Sequence, residues 1–111
     1  MSNLLLLLLA CLTLQLTPRY VSRVIDGDTF ILFSIGVPPE ERVRVLEIDT
    51  PERGQPGFDE ARIFTANWLA AGNFTITACK RDSFGRLLAT VTRNGESLAD
   101  ALFANDHGIR P

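Results

Sequence analysis

Of the charged residues between Val24 and Glu52, four carboxylates, Asp26, Asp28, Asp49 and Glu52, and one arginine, Arg44, stand at or near the ends of the strands that this stretch suggests. Two or three short strands folded back on themselves would bring all five side chains within reach of one another. Carboxylates that gather and lose water repel one another, so any fold of this stretch must place a cation or a positive side chain among them. That requirement limits the possible architectures more than any other feature of the chain.

The surrounding pattern supplies the strands. Residues 19–26 (RYVSRVID) interleave Tyr20 and Val24 with polar residues, and Gly27 permits a sharp reversal. Residues 29–35 (TFILFSI) are β-branched and aromatic, the signature of a second strand. Residues 36–41 (GVPPEE) form a loop, because Pro38 and Pro39 cannot donate to a ladder, and residues 42–48 (RVRVLEI) form a third strand. Arg44 and Asp49 have opposite parity on that strand, so it must bend or end near Ile48 if both are to face one site. Pro51 holds Thr50 extended and fixes the carbonyls of the turn that follows.

A Pro- and Gly-rich excursion then leads to a helix expected from Asp59 to Ala71. Asp59 and Glu60 complement its N-terminus, Gly72 and Asn73 stop it, and Ala61, Phe64 and Trp68 make its apolar face. A fourth strand is expected at residues 74–80, a turn at 81–85, a fifth strand at 86–92, a turn at Asn94-Gly95, and a short helix at 97–105 capped by Ser97. Three strands, a helix, two strands and a helix predict a mainly β, α+β fold: a five-stranded OB-fold-type barrel with one helix between strands 3 and 4 and a short C-terminal helix.

Residues 4–16 (LLLLLLACLTLQL) carry no charge and resemble the apolar centre of an export signal. As a helix they would reach only about 20 Å, too short for a bilayer core. Leu8-Leu9-Ala10-Cys11 resembles a lipoprotein box, which makes Cys11 a candidate lipid anchor. Residues 1–17 are therefore expected to be a signal or lipoprotein-type leader, 18–111 the domain, and the protein exported to the cell envelope or beyond. The alternation of Leu12, Leu14 and Leu16 with Thr13, Gln15 and Thr17 equally fits a half-buried strand. With Cys11 removed or lipidated, Cys79 has no partner, and no disulfide is expected.

Thirteen acids against eleven bases, ten of them Arg, give a formal charge of −2. The chain as a whole thus offers no basic face for long-range capture of nucleic acid, and polyanion binding has to rest on local arginines. No Cys/His pattern suits zinc, and His107 stands alone near the end. Asp28 and Asp49 with a backbone carbonyl are the beginnings of a Ca²⁺ shell, water supplying the rest. Asp26 has two open readings, a place behind the metal ligands or a turn-stabilising role.

VIDGDTF, RVLEIDTPE, a helix beginning near DEARIFT, and RDSFGRLLATV resemble, in order and spacing, the thermonuclease (staphylococcal-nuclease-like) family, over about Tyr20 to Gly108. The resemblance implies a barrel that cleaves DNA and RNA with one Ca²⁺. It implies Asp28 and Asp49 as side-chain ligands and Thr50 as a carbonyl ligand, Arg44 and Arg86 as the phosphate clamp, and Glu52 as general base. Smaller roles remain open for these residues: Arg86 can pair with Asp82, and Arg44 can be an exposed strand residue. Ser83 and Phe84 stand where the family's best-known member has Lys and Tyr, so weaker substrate binding with little base preference is expected. The chain stops soon after the second helix, where relatives continue, which is expected to expose apolar surface around Leu102 and Phe103.

Overall fold

The structure is a computed structural model that describes residues 11–33 and 40–111. Its elements are β1 (Leu12–Leu16), a 3₁₀ turn (Pro18–Tyr20), β2 (Val21–Asp26), β3 (Thr29–Phe33), β4 (Glu40–Val45), α1 (Phe58–Ala70), β5 (Phe74–Arg81), β6 (Leu87–Arg93), β7 (Glu96–Ser97) and α2 (Leu98–Ala104). The fold is mainly β with two helices, as the sequence predicts. The predicted loop at 36–41 and the leucine run at 4–10 fall largely outside the described residues.

Five of the strands, β2 to β6, are those expected, but they do not close into a barrel by themselves. All the strands belong to one sheet in the order β1-β5-β6-β4-β3-β2, with β7 added to β6. Every pairing is antiparallel except β4 with β6, which is parallel. The addition is β1: its alternating leucines pair along the edge of β5 that a five-stranded closure would need. β1 and β2 thus end the sheet on opposite sides, yet only Thr17–Tyr20 joins them. Five Cα steps reach at most about 18 Å. The sheet must therefore curl until its two ends stand that close, although no ladder among the described residues seals the seam.

Inside the curl, period-2 alternation buries Phe30 and Leu32 of β3, Val43 and Val45 of β4, Phe74, Ile76 and Ala78 of β5, and Leu87, Ala89 and Val91 of β6. Phe30 meets Phe74 edge to face, with ring centroids 6.3 Å apart. The helices plug the ends. α1 lies against β2 and α2 against β6, and the two helices touch one another. α1 buries Phe58, Ala61, Thr65, Trp68 and Leu69; Phe64, expected on this face, is only partly buried. The Asp100 N–H donates to Ser97 Oγ at 3.0 Å, so Ser97 caps α2 as anticipated. Leu102 is fully buried rather than exposed, because α2 turns it onto the core. Phe103 is 46% exposed, with the Arg110 guanidinium 4.5 Å from its ring centroid.

The cysteines require a second correction. Cys11 and Cys79 form a disulfide. The register explains it: Leu12 stands opposite Ala78, so the next step outward faces Cys11 with Cys79. Spacing along the chain concealed the pairing because 68 residues separate the two cysteines. A lipid anchor at Cys11 would need the thiol that this bond consumes. In the chain-entropy picture a bridge over a loop of this length is worth about 4 kcal/mol. Reduction, or serine at both positions, is accordingly expected to lower the unfolding free energy by about that much. Urea melts with and without reductant measure it, and coincident melts would show the bridge to be without effect.

Candidate active site

The β2–β3 hairpin turns on Gly27 and Asp28, with Asp26 paired to Thr29. Gly27 is needed for space: a Cβ there would stand 2.8 Å from Thr50 Cγ2 and 2.9 Å from the Ala61 methyl. Thr65 Oγ1, fully buried in α1, donates to the Gly27 carbonyl at 2.6 Å. The turn is thereby pressed between α1 and the segment that holds Thr50, which fixes where Asp28 emerges.

Asp28 is 6% exposed. One carboxylate oxygen accepts from Thr29 Oγ1 at 3.1 Å, and the other accepts from the Thr50 N–H at 2.9 Å and lies 3.4 Å from Arg44 Nη1. A buried carboxylate is tolerable with this many donors and a cation beside it. The remaining acids arrive because β4 ends at Val45. Leu46 N donates to the Ala89 carbonyl, Glu47 takes a left-handed φ of 71°, and the chain reverses. This is the bend that the parity of Arg44 and Asp49 demands, and it brings Arg44 Nη2 to 2.6 Å from Asp49 Oδ1. Arg44 Nη1 also donates to the Ile48 carbonyl at 2.9 Å and to the Val45 carbonyl. The guanidinium therefore binds both acids and staples the turn between them, leaving Nε–H and one Nη2 hydrogen for anything else.

Asp26 accepts the Asp28 N–H at 3.1 Å, which is the turn-stabilising role. Its carboxyl is pushed up to about 6, first by burial and then by the hydrogen bond and like charge of Asp28.

Glu52 lies in the loop 50–57, where its N–H donates to Gln55 Oε1 at 2.7 Å and its carbonyl accepts from Gln55 N at 2.9 Å. The backbone is pinned while the exposed carboxylate has no hydrogen-bonding or ionic partner among the described residues. Arg86 follows a turn built on Asp82, whose Oδ1 accepts from Phe84 N and Arg86 N and whose Oδ2 accepts from Arg86 Nε at 2.7 Å. Desolvation works against ionisation of Asp82, but these hydrogen bonds outweigh it and hold the carboxyl below the ordinary range. The pairing of Arg86 with Asp82 thus forms, and it occupies Nε. The terminal Nη donors have no protein acceptor among the described residues.

Asp28, Arg44, Asp49, Thr50, Glu52 and Arg86 all line one cavity of about 600 Å³, as does Asp26. Every residue picked out from the sequence reaches it. Others were not foreseen: Gln55 lines it beside Glu52, and Asp106, His107, Gly108 and Ile109 form its far wall. Ile109 and Asp49 exchange two backbone hydrogen bonds of 2.8 Å, and His107 rests against Phe64 with ring centroids 4.9 Å apart. Gly108 admits this approach, since a Cβ would meet the Asp49 carbonyl at 2.8 Å. A lone glycine after a lone histidine carried no signal of that contact.

Among the described residues no three acidic, His or Cys side chains gather as a metal cluster. The available donors are hard oxygens from two carboxylates and a threonine whose Oγ1 is buried with no partner among the described residues. That chemistry fits an oxygen-seeking cation such as Ca²⁺, completed by water, and not zinc.

The staphylococcal nuclease homologue family matches residues 42–106, a span holding Arg44, Asp49, Thr50, Glu52 and Arg86 but not Asp28. Protein ParB of Escherichia coli is 36% identical over 76 residues, which are 68% of this chain and 42% of that protein. The chain thus spans less than half the length of this relative.

Because the fold holds the Asp26 proton more tightly than the unfolded chain does, stability should fall as pH rises from the ordinary carboxylate range through about 6. Asp26→Asn keeps the acceptor for Asp28 N without the charge. In chelator it is expected to melt higher than the unsubstituted protein at pH 8 and nearly with it at pH 4; an equal difference at both values would refute the assignment.

Proposed function

The chain belongs to the staphylococcal nuclease homologue family, and from that we propose that it is a Ca²⁺-dependent nuclease hydrolysing phosphodiester bonds of DNA and RNA, single-stranded or frayed. The observation that carries this is the convergence of two acids, a threonine, a glutamate whose carboxylate has no partner among the described residues, and two arginines on one cavity. A purely binding barrel needs no carboxylate without a partner beside a phosphate site, and Glu52 is one.

Asp28, Asp49 and the Thr50 carbonyl would hold Ca²⁺, which when bound would neutralise charge on the phosphate oxygens. Glu52 accepts a proton from water as its oxygen bonds to phosphorus. The bond from phosphorus to the 5′-oxygen then breaks, the leaving oxygen takes up a proton, and the 3′-phosphate remains. Attack concentrates negative charge on the equatorial oxygens. The free Nη donors of Arg86, braced by Asp82 through Nε, are suited to bind that charge more strongly than the ground state. Arg44 contributes through its remaining N–H groups, and above all by keeping Asp28 and Asp49 together. The disulfide suits an oxidising compartment and favours an exported protein.

Single-stranded DNA should be degraded with Ca²⁺ and not in chelator. Glu52→Gln and Arg86→Ala should each lose at least about 100-fold in turnover with unchanged melting. Undiminished cutting in chelator would sink the metal mechanism. No cutting by folded protein that still binds the strand would leave a binding barrel instead.

A further inference from the structure

The −2 formal charge hides an uneven distribution. Outside the cavity, Arg23, Arg42, Arg53 and Arg62 line a second groove of about 480 Å³ together with one acid, Asp59. Four arginines against one aspartate leave a local excess of three positive charges. The sheet register accounts for half of the cluster: Arg23 of β2 and Arg42 of β4 both pair with Ile31 of β3, so the two arginines share one face on either side of it. α1 lies against β2 and contributes Arg62, and the loop before it contributes Arg53. Among the described residues Arg23, Arg42 and Arg53 have no carboxylate within 4 Å, and Arg62 has only Asp59 at the 4.0 Å limit. Arg53 is held by the face of Phe58, 5.1 Å from its ring centroid.

This groove runs toward the cavity. Arg42 lines both the groove and a smaller hollow shared with Phe84 and Arg86, and Arg86 in turn lines the cavity. Phe84 is 83% exposed, a free ring face along the way. Guanidinium forks suit phosphate oxygens, and arginines interleaved with an open aromatic suit a strand whose bases are unpaired.

We infer that the groove lined by Arg23, Arg42, Arg53 and Arg62 holds the sugar-phosphate backbone of a single strand several nucleotides away from the bond that is cut. The inference rests on the nuclease reading for its substrate and adds the path that substrate takes. It makes the protein prefer long strands to short ones by electrostatics that the cavity alone does not provide.

The test combines Arg23→Gln and Arg62→Gln, neither of which touches the cavity. Binding of a 20-nucleotide single strand is followed by fluorescence anisotropy in chelator across a salt series. Hydrolysis of a nitrophenyl ester of thymidine phosphate, which presents a single bond, is followed with Ca²⁺. Two lost phosphate contacts reduce the salt slope by about 1.4, a loss of about 25-fold in affinity at 0.1 M salt. Turnover of the small ester should be unchanged. An equal salt slope and equal affinity for the double variant would overturn the inference, whatever the ester shows. Binding confined to phosphatidylglycerol vesicles, with none to the 20-mer, would overturn it as well. A normal slope difference with no hydrolysis of either substrate would retain the groove and remove the nuclease reading.

Discussion

The site depends on the burial of one carboxylate. Asp28 sits almost out of reach of water, and an isolated charge there would be prohibitive. It persists because three separate parts of the chain supply donors: the neighbouring Thr29, the Thr50 backbone 22 residues on, and the Arg44 guanidinium. Each of those donors is positioned by something else. Thr50 packs where Gly27 has no side chain, and Arg44 stands beside Asp28 because the register sets it opposite Thr29, while the end of β4 two residues before the left-handed turn at Glu47 lets the same guanidinium reach Asp49. The hairpin, the strand end and the entry to α1 are thus arranged about a single buried charge.

The same arrangement gives the two arginines different work. Arg44 is enclosed by its own turn, and its positive charge offsets that of the two acids it joins. Arg86 is held by one nitrogen and presents the others. A guanidinium immobilised through Nε keeps its terminal donors while losing little freedom when an anion arrives, which is the sense in which a rigid fork differs from a flexible ammonium.

Most of this could be read from residue types in order. Alternation located β2 to β6 to within a few residues, and the parity of Arg44 and Asp49 required the bend that Glu47 makes. Ser97 announced its helix by its chemistry. The parts that could not be read are those made by contacts distant in the chain. Leu12–Leu16 fit a strand or part of a leader by pattern alone, and the pairing with the edge of β5 depends on residues 74–78, far along the chain. The Cys11–Cys79 bond follows from that register and has no local cue. The tail from Asp106 to Ile109 reaches the site through two backbone hydrogen bonds, which leave no mark on side-chain composition. Net charge misled in a related way, because a sum over the chain cannot show that arginines from β2, β4 and α1 gather on one groove.

The seam between β1 and β2 bears on how this protein avoids sticking to itself. β5 offers Phe74, Ile76 and Ala78 in alternation, and without β1 its outer edge would present unpaired backbone groups along a strand with one apolar face. β1 occupies that edge, and a covalent bond keeps it there. Leu12–Leu16 therefore cover an edge that would otherwise be open to edge-to-edge pairing. Cutting the chain after residue 17 would strip that edge of its partner strand.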